Sequence, residues 1–444
     1  MSKSKRLIML LSITALCSQS VCTQTRMLGI EELFALAEEQ SVSIQIYKTE
    51  TEAAGEALKA AKAQRLPEIG VSLSASYLGN GQIWDRDFSN GMEVEMPHFG
   101  NNFALEAQQV IYAGGAISSG IKQAELSKSL AELDLQKNVQ EIRFLLVGHY
   151  LNLYKLDNQI LVLQKNMELT DQVIANMMAR REQGTVLKND ITRYELQKEQ
   201  LNLQLTRVMN DRRIANHQLV TTLHLPDSTE ILPDTALLGE QISSLSEYDW
   251  QEIATANNIA LKQAQTTVRL KEEMVKKERS EILPHISLVA ADHLDGPITI
   301  EVPVLNNNFN YWYVGIGIKY NISSLFKNNH RIKQARLNVR RAQEQHRLAQ
   351  EYVENAVQEG FVNFMTAFTD LQTQRNSVRL ANENYSVTDN RYKNEMALLT
   401  DMLDASNMKL SADLGGRCIA LQYDCPAYHI SALVVAGLLY RGYL

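Results

Sequence analysis

Asp401 and Asp404 stand three positions apart, which puts both carboxylates on one face near the start of a helix. Two chemistries fit that placement. Acids in a first helical turn favour the macrodipole. Repeated around a symmetric pore, the same acids form rings that attract cations and repel anions. These residues alone leave both readings open. The histidines offer nothing comparable: His149, His217, His224, His285, His293 and His330 are scattered, with no HExxH and no nucleophile elbow. No Gly-rich phosphate loop occurs. The expectation is a protein that is not an enzyme and needs no metal or cofactor.

The elements that must position those acids follow from proline placement. The chain has 444 residues and 8 prolines. None lies between Pro97 and Pro226 or between Pro303 and Pro426, so two long stretches are free to form uninterrupted helices. The first residues read as an export signal over 1–22. Lys3, Lys5 and Arg6 form the basic region, and Leu7 to Leu16 a short apolar run. That run is too short to span a bilayer. Cys17 and Cys22 follow the bulky Leu16 and Val21, which disfavours lipidation. Loss of the three leader cations takes the net charge from −7 to about −10, against a nucleic-acid partner. Cys418 and Cys425 then remain. They could pair in an oxidising periplasm, but they form no disulfide scaffold.

Duplication organises the rest. Arg65-Leu66-Pro67-Glu68-Ile69 returns as Ile282-Leu283-Pro284-His285-Ile286. Ile121-Lys122-Gln123-Ala124 returns as Ile332-Lys333-Gln334-Ala335, in a slightly shorter offset that also aligns Arg180 with Arg391 and Asp190 with Asp401. The boundaries expected are a first repeat over 23–245 and a second over 246–444. Each runs helix, Pro, short β region, then a long helical hairpin.

Alternation marks the β regions. Ile69, Val71, Leu73, Ala75 and Tyr77 share one face of 69–78, and serines with Gly70 take the other. Strands are expected also at 103–112, 286–294 and 311–322, with Asp292 interrupting the third. Such segments, with aromatics at their ends, match tilted membrane-barrel strands. Four strands cannot close a barrel, and an open edge cannot face lipid. Several chains must therefore share one. The loops at 79–102 and 295–310 would face outward. Hairpins are expected near 119–223 and 328–414. The first helix of the former carries a heptad series, Leu126, Leu133, Val147, Tyr154 and Leu161, broken by Gln140. Running to Glu182, it would be about 95 Å long. The fold class is mostly α with β, internally duplicated.

These features together resemble the TolC-like outer-membrane efflux proteins. The carrying residues are the leader, the duplicated Leu-Pro before an alternating strand, and Arg391-Tyr392 ahead of Asp401-Met402-Leu403-Asp404-Ala405. A fainter copy, Arg180-Arg181-Glu182-Gln183-Gly184 before Asp190, lies in the first half. The resemblance covers roughly residues 28–414. It implies a homotrimer in the outer membrane, with a twelve-stranded barrel and a twelve-helix periplasmic tunnel. It also implies a periplasmic adaptor and an inner-membrane pump or secretion ATPase as partners. The function implied is a passive exit duct of a tripartite efflux or type I secretion system. The alternative is a soluble periplasmic coiled-coil adaptor or scaffold.

The same resemblance places Asp401, Asp404, Tyr392 and Asp190 at a constricted entrance, with Tyr392 helping to latch neighbouring hairpins. Arg180, Gly184 and Arg391, near the hairpin turns, become candidates for adaptor contact. Two departures stand out. A gating arginine is absent at Ala397, and Glu395 replaces a turn glycine, so a latch must use other partners. At the far end, Gly415-Gly416 is expected to interrupt the last helix, at a cost of about 2 kcal/mol relative to alanine.

Overall fold

A computed structural model describes residues 24–234, 246–301 and 304–423. The expected leader, Cys17, Cys22, Cys425 and the end of the chain lie outside the described residues. In chain order the elements are β1 (Gln24–Leu28), α1 (Ile30–Gln40), α2 (Val42–Ala63), β2 (Glu68–Tyr77), β3 (Gly81–Ile83), β4 (Met92–Val94), β5 (Phe99–Ala113) and α3 (Ala116–Glu182). Then follow α4 (Lys188–Thr222), β6 (Thr229–Pro233), α5 (Glu247–Asn257), α6 (Ile259–Ser280), β7 (His285–Gly296), β8 (Phe309–Lys319), α7 (Ser324–Lys393) and α8 (Leu399–Tyr423). The long helices, 67 residues in α3 and 70 in α7, lie in the two proline-free stretches.

The chain divides into two compact units. The first comprises Met1–Lys48, Asp134–Leu261 and Ala349–Leu444. Its main core gathers Leu28, Leu33, Leu146, Leu153, Leu219, Leu223 and Ile231, each fully buried. A parallel pairing of β1 with β6 roofs this core. Tyr150 ties the pair to α3. Its hydroxyl lies 2.9 Å from Leu28 O and accepts the Asp234 N–H at 2.7 Å. A capping box starts α5, where Ser246 and Asp249 satisfy each other's backbone N–H groups.

In this unit α3 departs from the heptad series. Leu161 is exposed and Tyr154 half-buried, while Leu146, Tyr150, Leu153, Leu156 and Leu163 are buried. Burial does recur every seven residues, but on neighbouring positions: Leu146 and Leu153, then Leu156, Leu163, Thr170 and Met177. The buried stripe of α3 is offset from the series, and Leu161 falls outside it.

Gly415 and Gly416 do not end α8, which continues to Tyr423. A Cβ on Gly415 would lie 2.6 Å from Gln374 Nε2, which itself donates to Ala412 O at 3.0 Å. The missing side chain leaves room for the Gln374 amide to reach the helix backbone. That contact accounts for a glycine inside a helix that intrinsic propensity disfavours there.

The second unit comprises Thr49–Leu133 and Lys262–Leu348. Its centre is an antiparallel sheet in the order β2-β5-β7-β8. The register runs from Glu68↔Gln108 to Tyr77↔Phe99, and from His285↔Lys319 to Asp295↔Phe309. A bulge between Val110 and Tyr112 interrupts the β5–β7 pairing. The strand expected at 311–322 ends at Lys319, leaving Tyr320 and Ile322 beyond it. Strands β3 and β4 form a small hairpin within the 79–102 loop.

Candidate functional sites in the sheet and at the hairpin tips

The register sorts the sheet's residues onto two faces. Val71, Leu105, Asp292 and Trp312 form one row, and Ile69, Ala107, Ala290 and Val314 the next. Apart from Asp292 these rows are apolar. Leu73 is 79% exposed and Trp312 73% exposed, so nothing among the described residues covers this face. Asp292 interrupts it, as its place in the alternation indicated. Asn310 answers the carboxylate there, donating from Nδ2 at 2.8 Å and also reaching His293 O at 3.0 Å.

The opposite face is polar and partly aromatic. His293 stacks on Tyr311 with centroids 5.1 Å apart, and its Nε2 lies 4.0 Å from Glu106. Asn102 donates to Asp295 alongside. Among the described residues, strands β2 and β8 each have a neighbour on one side only. The unit thus presents an uncovered apolar face, a polar face and two free edges. Among the described residues no helix is long and apolar enough to cross a membrane.

The hairpin tips belong to the first unit. Helix α3 ends in a Schellman turn: Gly184 N–H donates to Arg181 O at 2.9 Å and Thr185 N–H to Arg180 O at 3.1 Å. Helix α7 ends the same way at the equivalent place in the second repeat, Glu395 N–H to Tyr392 O at 3.1 Å and Met396 N–H to Arg391 O at 2.8 Å. Both turns need a left-handed residue. Gly184 supplies it at φ 80°, and Glu395 adopts φ 61° despite its side chain. Arg391 Nη2 donates to Met396 O at 3.1 Å, closing its own turn.

The two tips meet through Arg180. Its guanidinium donates to Glu395 Oε1 at 2.9 Å and lies 5.6 Å from the Tyr392 ring centre. Burial pushes the Tyr392 phenol up, Arg180 opposes that shift, and Asp190 adds to it. So Arg180, Tyr392, Asp190 and Glu395 form one constellation next to Gly184. Glu395 escaped the sequence analysis as a participant, because it registered only as a missing glycine. Its equivalence to Gly184, under the offset that aligns Arg180 with Arg391, was the available signal.

Asp401 and Asp404 are both exposed on α8. They do different work. Asp401 Oδ2 accepts the Leu398 N–H at 3.0 Å, a helix-start contact. Asp404 lies one turn further on and has no such bond. Beneath them Met402, Ile191, Met177 and Tyr194 form a buried cluster with Tyr392 and Tyr385.

The Tyr194 hydroxyl is buried there without a hydrogen-bond partner among the described residues. Burial above all, then Tyr392, Tyr385 and Asp389, push its phenol well above the usual tyrosine range. A raised folded pKa means a contribution that is present below about pH 10 and lost as pH rises beyond it. Tyr194→Phe is expected to raise stability by about 1 kcal/mol at neutral pH and to lessen the alkaline loss. Denaturant unfolding at two pH values checks both parts. A destabilised variant would show that the hydroxyl has a partner in the assembled protein.

Residues 250–414 match the family described as outer membrane efflux protein. A search of curated proteins by sequence finds no match. Among solved structures, the CusC membrane channel superposes with a TM-score of 0.78 at 13% identity, covering 92% of each chain. The outer membrane protein VceC from Vibrio cholerae gives 0.76 at 12% identity, covering 92% of this chain and 96% of that one. The CmeC outer membrane channel of Campylobacter jejuni gives 0.73 at 15%, covering 92% and 85%. Over nearly its whole length the chain has the fold of these outer-membrane channels, and over residues 250–414 it carries the sequence pattern of the outer membrane efflux proteins.

Proposed function

We propose that the chain is an outer-membrane exit duct: three copies share one β-barrel, and their long helical hairpins form the periplasmic tunnel that feeds it. The observation that carries this reading is the sheet. Among the described residues its apolar face has no cover and both its edges are free. In lipid the face needs no cover, but the edges must be paired. Pairing β8 of one copy with β2 of the next satisfies every edge when the ring closes. Three copies of four strands make the barrel of twelve. A soluble adaptor would gain nothing from an uncovered apolar sheet.

The duct is passive. Work is supplied by an inner-membrane pump or secretion ATPase, joined through a periplasmic adaptor that grips the hairpin tips near Arg180, Gly184 and Arg391. Asp404, exposed and free of a capping role, is the better candidate for a ring of charge at the entrance. Asp404→Asn is expected to lower cation over anion selectivity in planar bilayers, with Asp401→Asn changing it less and costing some tip stability. Unchanged currents in both variants would remove these acids from the pore.

The mass of the particle extracted from outer membranes in mild detergent tests the whole reading. A particle of three chains is expected. A monomer, or absence from the outer membrane, overturns it.

A further inference from the structure

One surface in the second unit goes beyond a shared barrel. From Ser324 to Leu348, α7 carries seven cations (Lys327, Arg331, Lys333, Arg336, Arg340, Arg341 and Arg347) and one carboxylate, Glu344. Arg347 pairs with Glu344 at 3.7 Å. The other six are exposed, and none has an ion-pair partner among the described residues. Their helix buries Asn328, Ile332, Ala335 and Ala342 on one side. On the uncovered side Phe326, His330, Lys333, Leu337 and Arg340 follow one another at spacings of four and three. That is the spacing of a helix seam awaiting a neighbour.

The complement lies on α2. From Thr49 onward its exposed residues include Ala53, Ala57 and Ala60, again spaced four and three, flanked by Glu50, Glu52 and Glu56. Small residues leave room for long side chains to lie across them, and the flanking carboxylates take the charge at their ends. Glu56 already touches Lys59 at 2.7 Å, but both are solvent-exposed, and such pairs exchange at little cost.

Position along the chain brings the two surfaces together. Helix α2 leads into β2, and α7 leaves β8; these are the two free edges of the sheet. Glu56, Glu52 and Glu50 precede Glu68, the first residue of β2, by steadily growing separations. Lys333, Arg336 and Arg340 follow Lys319, the last residue of β8, by separations that agree with those, pair by pair, to within about one helical turn. Acids and bases therefore stand at matching depths below the sheet. Lys59, Lys62, Arg65 and Lys327, nearest the sheet, fall outside this match.

We infer that the basic seam of α7 docks on the acidic, alanine-faced side of α2 in the next copy of the chain, and that this charge match selects the partner surface as the ring closes. The inference rests on the shared-barrel reading and adds a specificity device to it. Like charges meet where two α7 seams or two α2 faces come together, so those pairings are repelled while the α7–α2 contact is favoured.

The test uses the full chain in outer membranes and three variants: Arg336→Glu with Arg340→Glu, Glu52→Lys with Glu56→Lys, and all four together. Each reversal alone is expected to lower the trimer fraction severalfold at low salt. The combined variant is expected to recover it. A combined variant no better than either alone, or single reversals without effect on a wild-type trimer, overturns the inference. A basic seam that served anionic lipid would give the first of these results, because no carboxylate partner would be restored. A wild-type chain that is not trimeric instead overturns the shared-barrel reading itself. Should the reversals impair folding, Ala53→Cys with Lys333→Cys gives a second readout, in a chain whose Cys418 and Cys425 are serine. Oxidation is expected to yield a covalent ladder reaching three chains, and bands confined to one chain count against the contact.

Discussion

Leu73→Arg is expected to lower the membrane-inserted trimer about thirtyfold or more, whereas Ser72→Arg, at the neighbouring position, leaves it nearly intact. Leu73 is 79% exposed on the apolar face, near the middle of β2. An arginine at the midplane of a membrane barrel costs about 2–4 kcal/mol, and about 1.4 kcal/mol is a factor of about ten. A ring of three copies meets that cost three times. Ser72 pairs with Ala104 and points to the other face, with Glu106 and His293, where a cation meets polar company. Trimer recovered from outer membranes after mild extraction checks both. Equal yields from the two variants would mean that the apolar face does not meet lipid.

Gly114→Ala is expected to destabilise the second unit by about 2–5 kcal/mol, the sum of a backbone cost and a packing cost. Gly114 has φ 58°, and a Cβ there would lie 2.8 Å from both Leu283 Cβ and Ser280 O. The left-handed backbone contributes about 1–2 kcal/mol for any L-residue, and forced overpacking about 1–3 kcal/mol more. Ser280 O cannot withdraw easily, because it accepts the Leu283 N–H at 3.0 Å in the turn after α6. Gly115 provides the control. It also has positive φ, at 88°, but its Cβ would meet nothing nearer than Ser118 Oγ at 3.8 Å. Gly115→Ala should therefore show the backbone cost alone. Unfolding in denaturant after extraction measures the difference, and equal losses would locate the whole effect in the backbone.

How far such features could be read in advance depended on whether their cause was local. Alternation is local: each strand's two faces are written in its own residues, so Ile69 to Tyr77 announced an apolar face before any partner strand was known. The repeat is equally plain, and it pointed to Arg180 and Arg391 as equivalent positions. The carbonyls of both arginines close Schellman turns. What the chain does with non-local contacts was not legible. The Gly415-Gly416 pair looked like a helix break because propensity knows nothing of the Gln374 amide arriving from α7. The heptad series in α3 suggested a seam through Leu161, but the buried sevens fall on Leu156, Leu163, Thr170 and Met177, a choice made by the helices packed against them. Glu395 looked like a loss of a turn glycine; its meaning lies in a guanidinium from the other repeat. The uncovered sheet face was predictable in kind, but its companion, the basic seam beginning at Ser324, became meaningful only once β8 proved to be an edge.

Those edges also define a hazard. Between Ile69 and Tyr77 the edge strand β2 carries no charge and no proline, the two devices that natural edge strands commonly use to discourage adventitious pairing. On the shared-barrel reading, a chain that has left the ribosome but not yet found lipid and its two companions carries an amyloid-like template on one side of its sheet and an adhesive apolar plane on its surface. Such a chain is suited to being held by a chaperone in transit and folded at its destination, and overproduction beyond the capacity of that escort should yield insoluble chain in place of a soluble monomer.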